Sequence, residues 1–474
     1  MSFLSGVSRA RKTTPPPSES TVTQLPPAPG PRGAWLLGST LDFKDSPLEF
    51  TRYLQKAYGD VVKFRVGPHD WVLISHPDDI HDCMTTRAHI FRKPAIARKL
   101  WGNFLGEGVL TAEGTDWKRQ SKLMRPAFHK GRIDAYAKIM AELSDDLVDR
   151  WKVGEQRDIA RDMTTLTLEI VAKTLFDADV KGDADEFGDA MMALQKAILQ
   201  HLYLPLPIPK WWPSKTNKKK WDAIDHMRGL VADVINERRK TGEDRGDLLS
   251  MLIIAQDDEG NGMSDKELLD QSMTLFFAGH ETTANSLAWN WYLLAKNPDV
   301  TARLQADLQR VCGDRAPTVD DLRDLPYLDM VIKESMRILP SVWTFMKEPS
   351  EDVEIRGFHI PKGSQIMICP SILHLDERWF DNPTRFDPER FTPEAEKTIR
   401  KGAYVPFSGG SRVCMGKAFA MMESKIILGT MLQRIDPAVP ADYLPVMVPE
   451  LSMHPKGGLP FDVVLREESA VNAA

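Results

Sequence analysis

Near its C-terminal end the chain reads Ala403-Tyr404-Val405-Pro406-Phe407-Ser408-Gly409-Gly410-Ser411-Arg412-Val413-Cys414-Met415-Gly416-Lys417-Ala418. Glycines and a proline make the first half a tight loop. From Lys417 to Leu432 apolar residues recur at helical spacing (Phe419, Met422, Ile426, Ile427, Met431), so a helix begins just after Cys414. A cysteine at a helix N-terminus lies near the positive end of the dipole and within reach of unpaired N–H groups, which predicts a thiolate. The glycines let backbone or a flat ligand approach the sulfur closely. A lone thiolate held this way suits either a nucleophile or the single axial ligand of a haem iron.

The spacing chooses between these chemistries. Phe407, Gly410, Arg412, Cys414 and Gly416 fill the pattern F-x-x-G-x-R-x-C-x-G, which resembles the haem-binding loop of the cytochrome P450 family. The resemblance implies that Cys414 is the proximal iron ligand, that Phe407 packs beside the sulfur, and that Arg412 pairs with a haem propionate. It implies haem b as cofactor. The fold it implies is mainly α with a small β-rich lobe.

Composition is compatible with that fold. Of 474 residues, 42% are hydrophobic, ample for a large core. A net charge of −6 with mixed signs argues against a nucleic-acid partner. Four scattered cysteines (Cys83, Cys312, Cys369, Cys414) provide neither a disulfide framework nor a Cys-x-x-Cys metal site, and fit a reducing cytoplasm. Residues 1–33 are rich in Pro, Ser and Thr and are expected to be disordered, with one haem domain over 34–466 and a flexible tail over 467–474. No apolar run in the first segment approaches the roughly 18 residues of a membrane span. The family resemblance then implies a soluble, bacterial-type member with no membrane anchor.

Taken in order, Leu48–Tyr58 reads as a helix entered through Ser46-Pro47, and Val61–Val66 with Trp71–Ser75 as a hairpin-like strand pair. His89–Gly114 carries bulky side chains, among them Trp101 and Phe104, in the region that covers the substrate pocket in the family. Trp117 opens a helix that should end near Arg125, before Pro126. Relatives often read W-x-x-x-R here, both residues bonding a propionate; this chain has Trp117 but Ser121. Asp134–Trp151, Arg161–Phe176, Glu186–Gln200 and Lys215–Lys240 read as amphipathic helices. The apolar, proline-rich segment 201–213 matches a mobile lid in the family.

Ser264–Ala295 reads as a long helix entered by the capping-box pattern Ser264-Asp265-Lys266-Glu267. At its centre stands Phe276-Phe277-Ala278-Gly279-His280-Glu281-Thr282-Thr283, poor helix design that predicts a local bend opening backbone hydrogen bonds. The run resembles the family's oxygen-binding helix. That likeness implies that Ala278 and Gly279 leave room at the haem, and that Glu281 and Thr282 relay protons. Glu334 and Arg337 fill E-x-x-R, and Arg390 lies in Pro388-Glu389-Arg390-Phe391; in the family these three are buried and structural, holding the cysteine loop. Phe276 with Val342, Trp343 and Phe345 are expected to line the pocket. Lys347 falls where relatives carry an arginine for the second propionate, and supplies a point charge without the fork.

The resemblance thus implies a haem-thiolate monooxygenase that hydroxylates or epoxidises a fatty acid, terpenoid or steroid-like molecule. It would use O2 and electrons from a separate donor, a ferredoxin with its reductase, received on a positive surface including Lys401 and Lys417. The alternatives are a haem-thiolate peroxygenase or isomerase, which the Glu281-Thr282 pair argues against, and a haem sensor or carrier.

Overall fold

The computed structural model describes residues 24–35, 37–128, 130–177, 212 and 214–466. The helix expected over 186–200, and the 201–213 lid except Trp212, lie outside the described residues.

In chain order come α1 (Thr40–Asp45), α2 (Pro47–Tyr58), β1 (Val61–Val66), β2 (His69–Ile74), α3 (Pro77–Met84), β3 (Phe91–Arg92), α4 (Ala95–Leu105), α5 (Gly114–Met124) and α6 (Lys130–Asp149). After β4 (Gln156–Asp158) follow α7 (Ile159–Phe176), α8 (Lys215–Thr241), α9 (Leu248–Ile254), α10 (Asp265–Lys296), α11 (Pro298–Cys312) and α12 (Pro326–Ile338). The last part holds β5 (Phe345–Pro349), β6 (Val353–Ile355), β7 (Phe358–Ile360), β8 (Gln365–Ile368), the short α13 (Pro370–Leu373) and α14 (Pro393–Glu396), and helix α15 (Lys417–Leu432). It closes with β9 (Ile435–Asp436), the hairpin β10 (Met447–Pro449) and β11 (Met453–Pro455), then β12 (Pro460–Asp462) and β13 (Val464–Leu465).

Helix α10 is the axis of the helical part. Ser264 caps it through a complete capping box with Glu267, and Pro298 opens the next helix directly after it. Its side chains are buried around nearly the whole circumference, including Trp289 and Trp291, as befits a helix with neighbours on every side. The strongest neighbour is α7. A Cβ at Gly279 would come within 3.1 Å of Val171 on α7, so glycine there serves close helix approach. The helix stays α through 278–283, without the expected opening. Side chains bond back instead: Thr282 and Thr283 donate to the carbonyls of Ala278 and Gly279, at 2.8 and 3.1 Å.

The β-rich lobe is a five-stranded sheet in the order β1-β2-β8-β5-β3, parallel only between β2 and β8. Its apolar cluster is separate from the helical core and includes Val61, Val72, Ile74, Ile366, Ile368 and, from the cysteine loop, Val405. The chain before residue 34 already belongs to this lobe. His359 N donates to Pro26 O at 2.9 Å and Lys63 N to Pro29 O at 2.8 Å, so the attached segment starts earlier than composition suggested.

Between the two parts lies a buried ion cluster. Glu334 and Arg337, one helical turn apart on α12, are both inaccessible to solvent and joined by two hydrogen bonds of 2.7 Å. Arg390 approaches the same carboxylate at 3.3 Å and Asp387 N donates to it at 2.9 Å. Arg337 also donates to His374 O at 2.8 Å, and the His374 ring receives the Val405 N–H on Nε2 at 3.0 Å. Burial and the nearby Arg337 charge push His374 down to about 3, so the ring is neutral and its proton lies on Nδ1. The ion pair therefore reaches the cysteine loop through one histidine.

Removing one partner of such a pair leaves the other charges buried and unpaired, at a cost of about 3–5 kcal/mol. Glu334→Ala should lower the thermal unfolding midpoint and the haem content together. Arg323→Ala, which breaks an exposed pair with Asp320, should change stability by no more than about 0.5 kcal/mol in the same measurement.

Candidate functional site

The loop before α15 is shaped by its neighbours. Gly410 has φ +65°, and a Cβ there would lie 1.7 Å from the Met84 carbonyl oxygen at the end of α3, so only glycine fits. Cys414 N donates to Phe407 O at 3.0 Å, closing the loop on itself, and the Lys417 ammonium lies 5.7 Å from the centre of the Phe407 ring. Gly416 is less constrained, since a Cβ would stand 3.9 Å from the Cys414 sulfur in ordinary contact.

Of the four cysteines only Cys414 has substantial accessible surface; Cys83, Cys312 and Cys369 are buried. Burial pushes Cys83 and Cys369 up to about 12, which makes both inert. Cys414 is accessible and yet closely surrounded by protein, as a side chain lining an internal recess is. That environment corrects the expectation of a spontaneous thiolate. Desolvation pushes the Cys414 thiol up, and the N–H groups of Gly416 and Lys417 only partly oppose it. Deprotonation there needs a bound cation, and an iron centre provides one.

The residues expected at the propionates converge. The Arg412 guanidinium stacks 3.8 Å from the centre of the Trp117 ring and pairs with Glu113 at 2.5 Å. Lys347, on β5, is buried and has no hydrogen-bond or ion-pair partner among the described residues; burial, then Arg412, pushes it down. A third cation was not legible in the sequence. Lys93, between β3 and α4, is engulfed and donates to the Leu110 carbonyl, while its own N–H donates to Glu113 at 3.0 Å. Burial, then repulsion from Arg412 and Lys347, pushes Lys93 down to about 7. Among the described residues Glu113 is the carboxylate that pairs with this group, and it pairs with Arg412 alone.

This donor set fits haem b. Its two propionates would be held by Lys93, Lys347, Arg412 and the Trp117 indole, and the surplus positive charge matches the two negative charges they bring. Ser121 is buried with its hydroxyl unpartnered among the described residues, and as a neutral group it does not replace the charge of the arginine in relatives. Nor do its helix neighbours: Arg119 is bound to Asp257 and Glu267, and Lys122 to Asp258.

On α10 the side chains divide by face. In the middle of the helix Ala278 and Thr282, four residues apart, carry accessible surface, as do Leu275 and Gly279 beside them. Thr282 commits its hydroxyl proton to Ala278 O and leaves its lone pairs open. Gly279, half-buried beside them, also makes the close approach to Val171 on α7 described above. Glu281 points elsewhere. Its Oε1 accepts from the Ser452 hydroxyl in the β10–β11 turn, a partner the sequence did not announce. Desolvation pushes Glu281 up to about 7, against the lowering effect of that hydrogen bond.

The expected pocket residues separate. Trp101 meets Phe277 edge to face at 5.1 Å, and Val342 and Phe345 are half-buried. Phe104 and Phe276 are fully packed, stacked on Trp221 and on Phe176. Trp343 is buried, its ring 6.5 Å from Phe43 and its N–H donated to Glu450 O at 2.6 Å. These three are core contacts because aromatic area at an element junction is buried by the neighbouring element first. Phe461, beyond the glycine turn at 457–458, likewise packs between Trp151 and Trp291.

Comparisons with known proteins agree with this geometry. The family model described as Cytochrome P450 matches residues 27–459. The chain is 35% identical to "Cyclooctatin synthase" of Streptomyces melanosporofaciens over 85% of this chain and 88% of that protein. It is 34% identical to "Cyclooctat-9-en-7-ol 5-monooxygenase" of the same organism, over 89% and 91%. The fold superposes on the crystal structure of the cytochrome P450DA heme domain with TM-score 0.85 and 28% identity, covering 93% and 98%.

A charge-assisted contact contributes about 1.5–3 kcal/mol, which is roughly 10–100-fold in a rate of loss. Lys93→Met should therefore speed haem transfer to an apo-globin acceptor by at least about tenfold. Lys122→Met, which removes an exposed pair, should leave that rate unchanged.

Proposed function

This chain belongs to the cytochrome P450 family and is a haem b monooxygenase, and on that footing we propose that its substrate is a terpenoid skeleton, which it hydroxylates or epoxidises. The observation that carries this reading is Cys414, accessible at the head of α15, in a protein that also gathers the cations Lys93 and Arg412, half-buried, with Lys347, buried. The terpenoid class is favoured because two similar proteins are named Cyclooctatin synthase and Cyclooctat-9-en-7-ol 5-monooxygenase, the second after the oxidation of a cyclic, unsaturated alcohol. It also suits the apolar contact of Trp101 with Phe277 beside the open face of α10.

Bound haem supplies O2 activation and oxidising power, favoured by electron density from a thiolate ligand. The chain's own residues do the rest. Cys414 offers its sulfur from a loop that Phe407 O and the Met84 carbonyl hold in shape. Arg412, Trp117, Lys93 and Lys347 fix the carboxylate edge of the cofactor. Thr282 presents a hydroxyl oxygen on the accessible face of α10 and passes protons there, and Glu281 supplies them from the neighbouring position. One oxygen atom enters the substrate; the other leaves as water, which consumes two electrons and two protons.

Electrons come from a separate donor, and a ferredoxin is the partner we favour. Lys401 and Lys417 are exposed near the cysteine loop and suit an acidic surface, whereas Arg400 is already paired with Asp78 at 2.5 Å. Among the described residues no helix is long and apolar enough to cross a membrane.

Cys414→Ser should lose the thiolate-type spectrum of the reduced carbon-monoxide complex, while Cys369→Ser keeps it; a normal spectrum in Cys414→Ser removes the basis of this reading. The second expectation concerns pH. A carboxyl group raised to about 7 holds its proton below that value and releases it above. Product formed per electron should therefore fall as pH rises through about 7, with peroxide increasing in its place. Glu281→Gln should flatten the profile.

A further inference from the structure

The C-terminal hairpin reaches α10 at one place. Its strands pair Pro449 with Met453, leaving Glu450-Leu451-Ser452 as the turn. The turn is anchored from several sides: Trp289 Nε1 donates to Met453 O at 2.9 Å, Met453 N to Ser341 O at 2.7 Å, and Trp343 Nε1 to Glu450 O. Leu451 packs against the helical core. These anchors leave the Ser452 hydroxyl, fully buried, between two side chains one helical turn apart on α10.

Those side chains are Glu281 and Asn285. The Asn285 amide nitrogen donates to Ser452 Oγ at 2.8 Å, and Ser452 Oγ donates to Glu281 Oε1. The chemistry of the groups makes this order directional. An amide N–H can only donate, so the hydroxyl oxygen is occupied as an acceptor and its single proton is aimed at Glu281. Oε1 is thereby held as an acceptor, and the proton that Glu281 carries is confined to Oε2.

We infer that Ser452 is the positioning residue of the proton relay, fixing the orientation of Glu281 from the hairpin and setting how readily that acid gives up its proton. The inference rests on the monooxygenase reading for its purpose, but not for its geometry. A donor aimed at a carboxylate favours the ionised form, so Ser452 opposes the burial that would otherwise keep Glu281 fully protonated. Glu450, in the same turn, acts in the opposite sense as a like charge. On α10 itself His280 is neutral, its ring bonded to Phe276 O and pushed down to about 4 by burial. From α15, Glu423 is buried near Thr283, and burial pushes its carboxyl well above the usual carboxylate range. Ser452 is therefore the one group that draws Glu281 back toward ionisation among the described residues. A hairpin three residues wide at its tip thus sets the working pH of the relay.

The test is a pH titration, on the resting ferric holoprotein, of the infrared band of a buried protonated carboxyl group, assigned by its loss in Glu281→Gln. The native midpoint should lie at about 7. Ser452→Ala should raise it by about one to two pH units, and Ser452→Thr, which keeps the hydroxyl, should restore it. An unmoved or lowered midpoint in Ser452→Ala overturns the inference. Should Ser452→Ala fail to retain haem, Asn285→Leu decides, because it frees the hydroxyl from its orienting donor: a raised midpoint supports the inference and an unmoved one overturns it. The band is read without turnover, so its outcome is independent of whether the substrate is a terpenoid and of the electron donor.

Discussion

The buried pair of Glu334 with Arg337 is the contact on which the rest of the site depends. Two charges taken out of water are stable only while they are well bonded, and the further hydrogen bonds of this pair are used to hold chain. Asp387 N and Arg390 attach the segment before the cysteine loop to the carboxylate, and His374 O and Arg385 O attach it to the guanidinium. His374 then passes the constraint on, because its neutral ring accepts the Val405 N–H two residues before Phe407. Val405 itself is buried in the apolar cluster of the sheet lobe. The loop carrying Cys414 is thus fastened to helix α12 by polar contacts and to the sheet by apolar ones.

Charge is distributed around this frame for a cofactor rather than for the protein alone. Lys93 and Lys347 lie where burial and then repulsion from Arg412 push them down, and Glu113 pairs with only one of the three cations. Likewise the sulfur of Cys414 lies where desolvation favours the thiol. Both arrangements cost stability in the isolated chain, and both are reversed by the same ligand: two anionic propionates at one edge and a cationic iron at the centre. The protein is built with complementary electrostatic deficits at the two positions that haem fills.

Helix α10 joins that frame to the chemistry. Its capping box, its continuous α geometry and the close approach to Val171 at Gly279 make it rigid. On this element, positions 278 and 282 carry accessible surface while 281 and 285 turn to the hairpin. The helical repeat alone places Thr282 on the accessible face and Glu281 on the face that meets the hairpin.

How much of this was legible depends on the range of the interaction concerned. Local patterns carried the helix after Cys414, the capping box at Ser264, the β1–β2 pair and the E-x-x-R turn, because each is set by neighbours a few residues away. The spacing of Phe407, Gly410, Arg412 and Cys414 carried the cofactor for the same reason. Lys93, His374 and Ser452 were invisible: a lysine before a proline, a histidine after a short helix and a serine in a turn have no local mark of function. Each takes its role from a partner far along the chain, Glu113 and Arg412 for Lys93, Val405 for His374, Glu281 for Ser452. Trp343 and Phe276 show the converse, since aromatic side chains read as pocket lining were claimed by Phe43 and Phe176. The sequence by itself determined which thiol stands at the head of a helix in a glycine loop, because one loop and one helix terminus present it. Only the tertiary structure decided which charges balance the cofactor and which hydroxyl holds the acid, because burial and long-range pairing set ionisation, and neither exists until the chain has folded.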